Sequence, residues 1–144
     1  MVSSLRLPLF SVLQNVFNEM QGFSGSNPFL ADLERKLTEE GKYNLFKEKF
    51  EDSFGSAWEE SRSDFDFIQD DVVEVLDEIG FMSIEAGRNW CEKATGEYTY
   101  KVEDFARLVK KYLDKKESNH HIVFLIDEIG QYIGDDSKLM LNLQ

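Results

Sequence analysis

The chain is poor in cysteine, proline and positive charge. Each shortage excludes something. One cysteine, Cys91, among 144 residues cannot close an internal disulfide, so a reducing compartment, the cytoplasm, is expected. Two prolines leave few obligatory helix breaks. Sixteen Lys and Arg against 28 Asp and Glu give a formal charge of −12. That balance disfavours direct contact with nucleic acid or anionic lipid, since both need clustered cations to displace counterions. No apolar run approaches the roughly 20 residues of a membrane span, and the start, Met1 to Pro8, lacks the apolar core of a secretory signal. No G-x-x-x-x-G-K-[ST] occurs; the one Gly-Lys pair, Gly41-Lys42, is followed by Tyr43 and lacks the earlier glycine.

What is present is apolar and helical in texture. Hydrophobic residues make up 42% and aromatics 13%, Phe alone counting 12. That is too much apolar surface for a disordered tail. A chain of this length buries about two-thirds of its unfolded surface. Helical spacing predicts a first helix from near Pro8 with Leu9, Leu13, Val16, Phe17 and Met20 as its buried stripe. Asn27-Pro28 reads as an N-cap and first helical residue, opening a helix with Phe29, Leu30, Leu33 and Leu37 on its apolar face and Gly41 as its stop. Tyr43, Phe46, Phe50 and Phe54 mark a third helix closed by Gly55, and Trp58 follows in a short acidic stretch. From Ser63 to Ile79 one face carries Phe65, Ile68, Val72, Val75, Leu76 and Ile79; the other is almost all acid. Gly80 ends it, and Ser83 caps a helix with Ile84, Trp90 and Cys91. Phe105, Leu108, Val109, Tyr112 and Leu113 define a last amphipathic helix, with Lys110, Lys111, Lys115 and Lys116 toward its C-terminal end.

Then the period is lost. Ile122–Ile126 is a continuous apolar run rich in β-branched residues, as in a strand covered on both faces of a parallel sheet. A lone parallel strand has no sheet, and the chain stops at Gln144 inside a helical pattern, so a fragment of a longer protein is expected. Asp127 and Glu128 follow the run directly. Two readings stand: a core strand ending in a solvated loop, or a Walker B strand delivering two acids to the carboxyl edge of a sheet. In the second, Asp127 holds Mg²⁺, through a water, and Glu128 orients or deprotonates the water that attacks the γ-phosphate. Gln131 and Asn142 are polar groups that would meet phosphate or a neighbouring subunit.

Asp127–Gly134 (DEIGQYIG) and Leu139–Gln144 (LMLNLQ) closely resemble the Walker B region of the large P-loop ATPase of bacterial BREX phage-defence systems, the BrxC or PglY-like family. PLFSVLQNVFNEMQGF from Pro8, NPFLADLERKLTEEGKY from Asn27, DFDFIQDDVVEVL from Asp64 and NWCEKAT from Asn89 are similar to that family as well. The resemblance implies a mainly α chain. Residues 1–119 would be an acidic helical insert or lid, and 120–144 the Walker B strand and next helix of an α/β P-loop NTPase core. It also implies a large cytoplasmic ATPase acting with a methyltransferase and other components, or self-associating, with ATP and Mg²⁺ as its cofactors. Asp127 and Glu128 would carry the metal-binding and water-activating roles and Gln131 would contact the nucleotide. The phosphate-binding loop would lie upstream, so these residues alone would not hydrolyse ATP.

Other constellations carry less. His120 and His121 diverge on a strand and have no second ligand pair at zinc spacing. The acids Asp64, Asp66, Asp70, Asp71, Glu74, Asp77 and Glu78 lack the glycine of an EF-hand and read as a solvated helix face, or as a docking surface for a basic partner. Phe46, Phe50, Phe54, Phe65 and Trp90 fall at core spacing without interleaved cations. A non-catalytic acidic interaction module, and an acidic DNA mimic, are the alternative functions.

Overall fold

In a computed structural model of the chain, residues 2–94 and 102–125 are described, their side chains from Leu9 onward. Among them the chain is mainly helical. Seven α-helices follow in order: α1 Val2–Met20, α2 Pro28–Glu39, α3 Tyr43–Phe54, α4 Trp58–Ser61, α5 Phe65–Glu78, α6 Ile84–Ala94 and α7 Val102–Asp114. A 3₁₀ turn, Arg62–Asp64, joins α4 to α5.

The helix boundaries are set by local chemistry. Asn27 Oδ1 accepts from the Phe29 and Leu30 amides at 3.0 and 3.2 Å, and Pro28 occupies the first helical position, where its missing N–H costs nothing. Gly55 closes α3 at φ 91°, a left-handed conformation that an L side chain resists. Ser83 Oγ accepts from the Ala86 amide at 3.2 Å at the start of α6. Helix α1 departs from the sequence expectation. It begins at Val2, with Pro8 inside it; a proline there presets a helical φ but removes one amide donor and crowds the carbonyl four residues back. Its buried side is also rotated. Leu9, Phe10, Gln14, Phe17 and Asn18 are buried, whereas Val16 and Met20 are half exposed.

The chain divides into two compact units, and the division falls inside α1: residues 17–98 form one, residues 1–16 with 99–144 the other. In the first, α5 packs on α6 and α3, and α2 on α3. One continuous core results from Leu30, Leu33, Leu37, Phe46, Phe50, Trp58, Phe65, Ile68, Val72, Val73, Val75, Leu76 and Cys91. Each fully buried Leu, Val or Phe there contributes on the order of 1.5–3 kcal/mol. Trp58, from the acidic stretch, is its centre: the indole stands edge-on to Phe46 and Phe50, at 5.0 and 5.1 Å between centroids. Phe65 meets Trp90 edge-on at 5.5 Å. Phe54, expected in this core, is partly exposed at the end of α3. Helix α5 is broken at Ile68, whose φ of −118° and ψ of 15° are not helical.

In the second unit, α7 has its apolar stripe only half buried. The strand expected over Ile122–Ile126 is not formed among the described residues, which contain no strand. From His121 to Leu125 exposure alternates: Ile122 and Phe124 are half buried, while Val123 and Leu125 are 75% and 93% exposed. This is the two-residue period of a strand, covered on one face and not on both. A strand also needs a neighbour for its amides and carbonyls, and no described residue supplies one. Ile126 lies outside the described residues.

Helices α5 and α6 approach closely at Gly87, where a Cβ would stand 2.9 Å from Val73 Cγ1. Gly87→Ala should therefore destabilise the fold by about 1–3 kcal/mol through overpacking. That outweighs the gain of roughly 1 kcal/mol expected from removing a helix-interior glycine. Thermal unfolding of Gly87→Ala with and without Val73→Ala checks this: the second change should recover much of the loss.

Candidate functional site

Asp127, Glu128, Gln131 and Asn142, the residues the sequence singles out, all lie outside the described residues. The approach to them is described as far as Leu125. After α7 the chain turns through Lys115–His120 and runs back as His121–Leu125. Phe124 packs on Phe105 at 5.9 Å between ring centroids. Beside them a groove of about 700 Å³ is lined mainly by Phe10, Leu13, Phe105, Val109, Ile122 and Phe124. Lys110 and Asp114 sit at its rim and pair at 2.9 Å. His120 and His121 are exposed. Among the described residues no group of three or more His, Cys, Asp or Glu is placed to hold a metal ion.

Cys91 is buried on α6 beside Val73, Asp70 and Arg88. Burial first, and then the charge of Asp70, push its thiol up to about 11. A thiol so rarely ionised at neutral pH is a packing group and a poor nucleophile. Of the acids expected on a solvated face, Asp64 before α5 and Asp66, Asp70, Glu74, Asp77 and Glu78 on it are exposed, while Asp71 is half buried. Phe67, among them, is 90% exposed.

The most elaborate polar arrangement was not anticipated from sequence. Glu34 on α2 is fully buried. Its Oε1 accepts from the Ser24 amide at 2.7 Å. Its Oε2 accepts from the Tyr43 hydroxyl, from Trp58 Nε1 at 3.2 Å and from an Arg62 guanidinium nitrogen at 2.6 Å. The same Arg62 nitrogen donates to the Gly22 carbonyl at 3.1 Å. A buried carboxylate is costly unless both oxygens are satisfied and its charge is matched. Here four donors and one cation meet it. A second cation guards the same loop: Arg35 donates to Asn18 Oδ1 at 2.6 Å and to Asp32 at 2.7 Å, and its guanidinium lies 5.3 Å from the Phe23 ring centre. The signal for Glu34 was available in the sequence: it stands at a stripe position, four residues after Leu30 and three before Leu37. A lone acid on an apolar face asks for a buried partner.

Burial, and then the negative charge of Glu34, push the Tyr43 hydroxyl well above its ordinary value of 10.0. The phenol is thus held as a donor.

No family model matches the chain, and no solved structure matches it. No helix among the described residues is long and apolar enough to cross a membrane.

The raised value of Tyr43 has a defined pH consequence. Its contribution to stability is complete below pH 10, the value of an unfolded phenol. It is lost as pH rises from there toward the higher folded value. Alkaline titration followed at phenolate absorbance should show Tyr43 ionising only with unfolding, and Tyr43→Phe should remove that late component.

Proposed function

We propose that this chain supplies the helical segment before Walker B, and Walker B itself, to a P-loop ATPase of the BREX phage-defence type. The reading rests on one observation: DEIGQYIG at Asp127–Gly134 directly follows the apolar run Ile122–Ile126. The alternation of exposure along His121–Leu125, with no neighbour for its backbone among the described residues, supports it, because strands of a longer protein's sheet would satisfy both edges.

The donor set suits the group it would meet. An Asp carboxylate is a hard oxygen ligand fitted to hydrated Mg²⁺, and a Glu beside it is fitted to take a proton from water. In this reading Asp127 would hold the ion through a water, Glu128 would orient or deprotonate the attacking water, and Gln131 would contact the nucleotide. Bound Mg·ATP supplies the phosphoryl group to be cleaved. The Lys and backbone amides of a G-x-x-x-x-G-K-[ST] loop, absent from these residues, would come from elsewhere in the longer protein. The acidic helical region of residues 1–119 serves as an insert or lid, with other BREX components or a second ATPase subunit as partner. The work takes place in the cytoplasm, without direct nucleic-acid contact by this acidic portion.

A second reading, a non-catalytic acidic interaction module, draws on the self-contained core of residues 17–98 and the solvated acids of α5.

In a protein that carries the phosphate-binding loop, Glu128→Gln should abolish turnover, by 10²-fold or more on the usual scale of general-base loss, while sparing ATP binding. Unchanged turnover would leave the second reading standing. The 144-residue chain by itself should give no calorimetric binding signal with millimolar ATP; a clear signal would show that it carries a nucleotide site of another kind.

A further inference from the structure

The loop between α1 and α2, residues 21–27, contributes Phe23, Ser24 and Gly25 to the interior. Its long-range polar anchors converge on one ion pair. Ser24 donates to Glu34, and Gly22 accepts from Arg62, which also pairs with Glu34. On the other side, Trp58 and Arg62 bring α4 and the 3₁₀ turn to the same carboxylate. That second segment is bounded by two irregular points, Gly55 at φ 91° and the non-helical Ile68. The loop too has a left-handed hinge, Gly22 at φ 82°. Two segments about 40 residues apart in sequence are therefore each flanked by a backbone irregularity and joined by a single shared pair.

We propose that the Glu34–Arg62 pair is a latch that makes residues 21–27 and the α4–3₁₀ segment one conformational unit, so that the two open together while α5 and α6 stay folded. The physical basis is asymmetry. The α5–α6 contact depends on Val73, Gly87 and their neighbours and includes no group of the latch. Arg62 reaches the pair from the solvent side, its side chain 19% exposed, whereas Glu34 is fully enclosed. Loss of Arg62 leaves Glu34 with charge unmatched, and its cheapest relief is to admit water between the loop and α4. This inference does not depend on the nucleotide reading.

Amide hydrogen exchange on the whole chain tests it, comparing Glu34→Gln and Arg62→Gln with the parent. Both variants are expected to exchange at least tenfold faster in residues 22–27 and in 58–64 alike, with Val72–Leu76 on α5 unchanged. Arg62→Lys, which keeps the charge, should return protection to both segments. Acceleration in one segment without the other, or in neither, overturns the latch. So does loss of protection in Val72–Leu76 of Arg62→Gln, which would make the pair part of global stability. Arg62→Gln, changed on the solvent side, decides the matter where Glu34→Gln does not fold.

Discussion

A fully buried carboxylate organises the helical unit. Glu34 draws four donors from three segments distant in sequence: the loop before α2, the start of α3 and the α4–3₁₀ turn. Hydrophobic packing alone is non-directional and would let α2, α3 and α4 slide. Charge matching inside a low-dielectric interior tolerates little displacement. The Trp58 ring illustrates both effects. It packs edge-on across the stacked pair Phe46 and Phe50, while its indole N–H fixes which way round it sits.

The outer surface works against this. On α5, Asp66 and Asp70, Asp70 and Glu74, and Glu74 and Glu78 each stand four residues apart, where like charges repel by about 0.2–0.5 kcal/mol per pair. Its last turn carries Asp77 and Glu78 and no cation, the unfavourable end of the helix dipole for negative charge. The helix persists because Val72, Val75 and Leu76 bury fully on its inner side. Added salt, which screens exposed charges, relieves the outer face while leaving the enclosed pair nearly untouched.

How legible this was depended on range. Most signals read within one turn of chain held: Asn27 with Pro28, Gly41, Gly55, Gly80 and Ser83 all sit where their backbone chemistry placed them, whereas Pro8 did not mark the start of α1. Periodicity found most of the inner face of α5, Phe65, Ile68, Val72, Val75 and Leu76, but missed the buried Val73. It failed on α1, where Gln14 and Asn18 are buried in place of Val16 and Met20, because polar side chains with buried partners are invisible to an apolar count. Trp58 was passed over because its neighbours are acids, although the helix is too short for them to define a face. The strand reading depended on neighbours that no single segment encodes. The acids after it, Asp127 and Glu128, were chosen from their order along the chain, and the described residues stop two positions short of them.

The division of the chain has a temporal side. Residues 17–98 are continuous in sequence, and their core joins helices that follow one another closely, a topology that collapses quickly. The companion unit draws on residues 1–16 and 99–144, so it must wait for its second portion to be made. During synthesis residues 1–16 emerge before the helical body and meet residues 99–144 only after it. By then residues 17–98 have folded, which shortens the flexible chain linking the two portions and the search that brings them together.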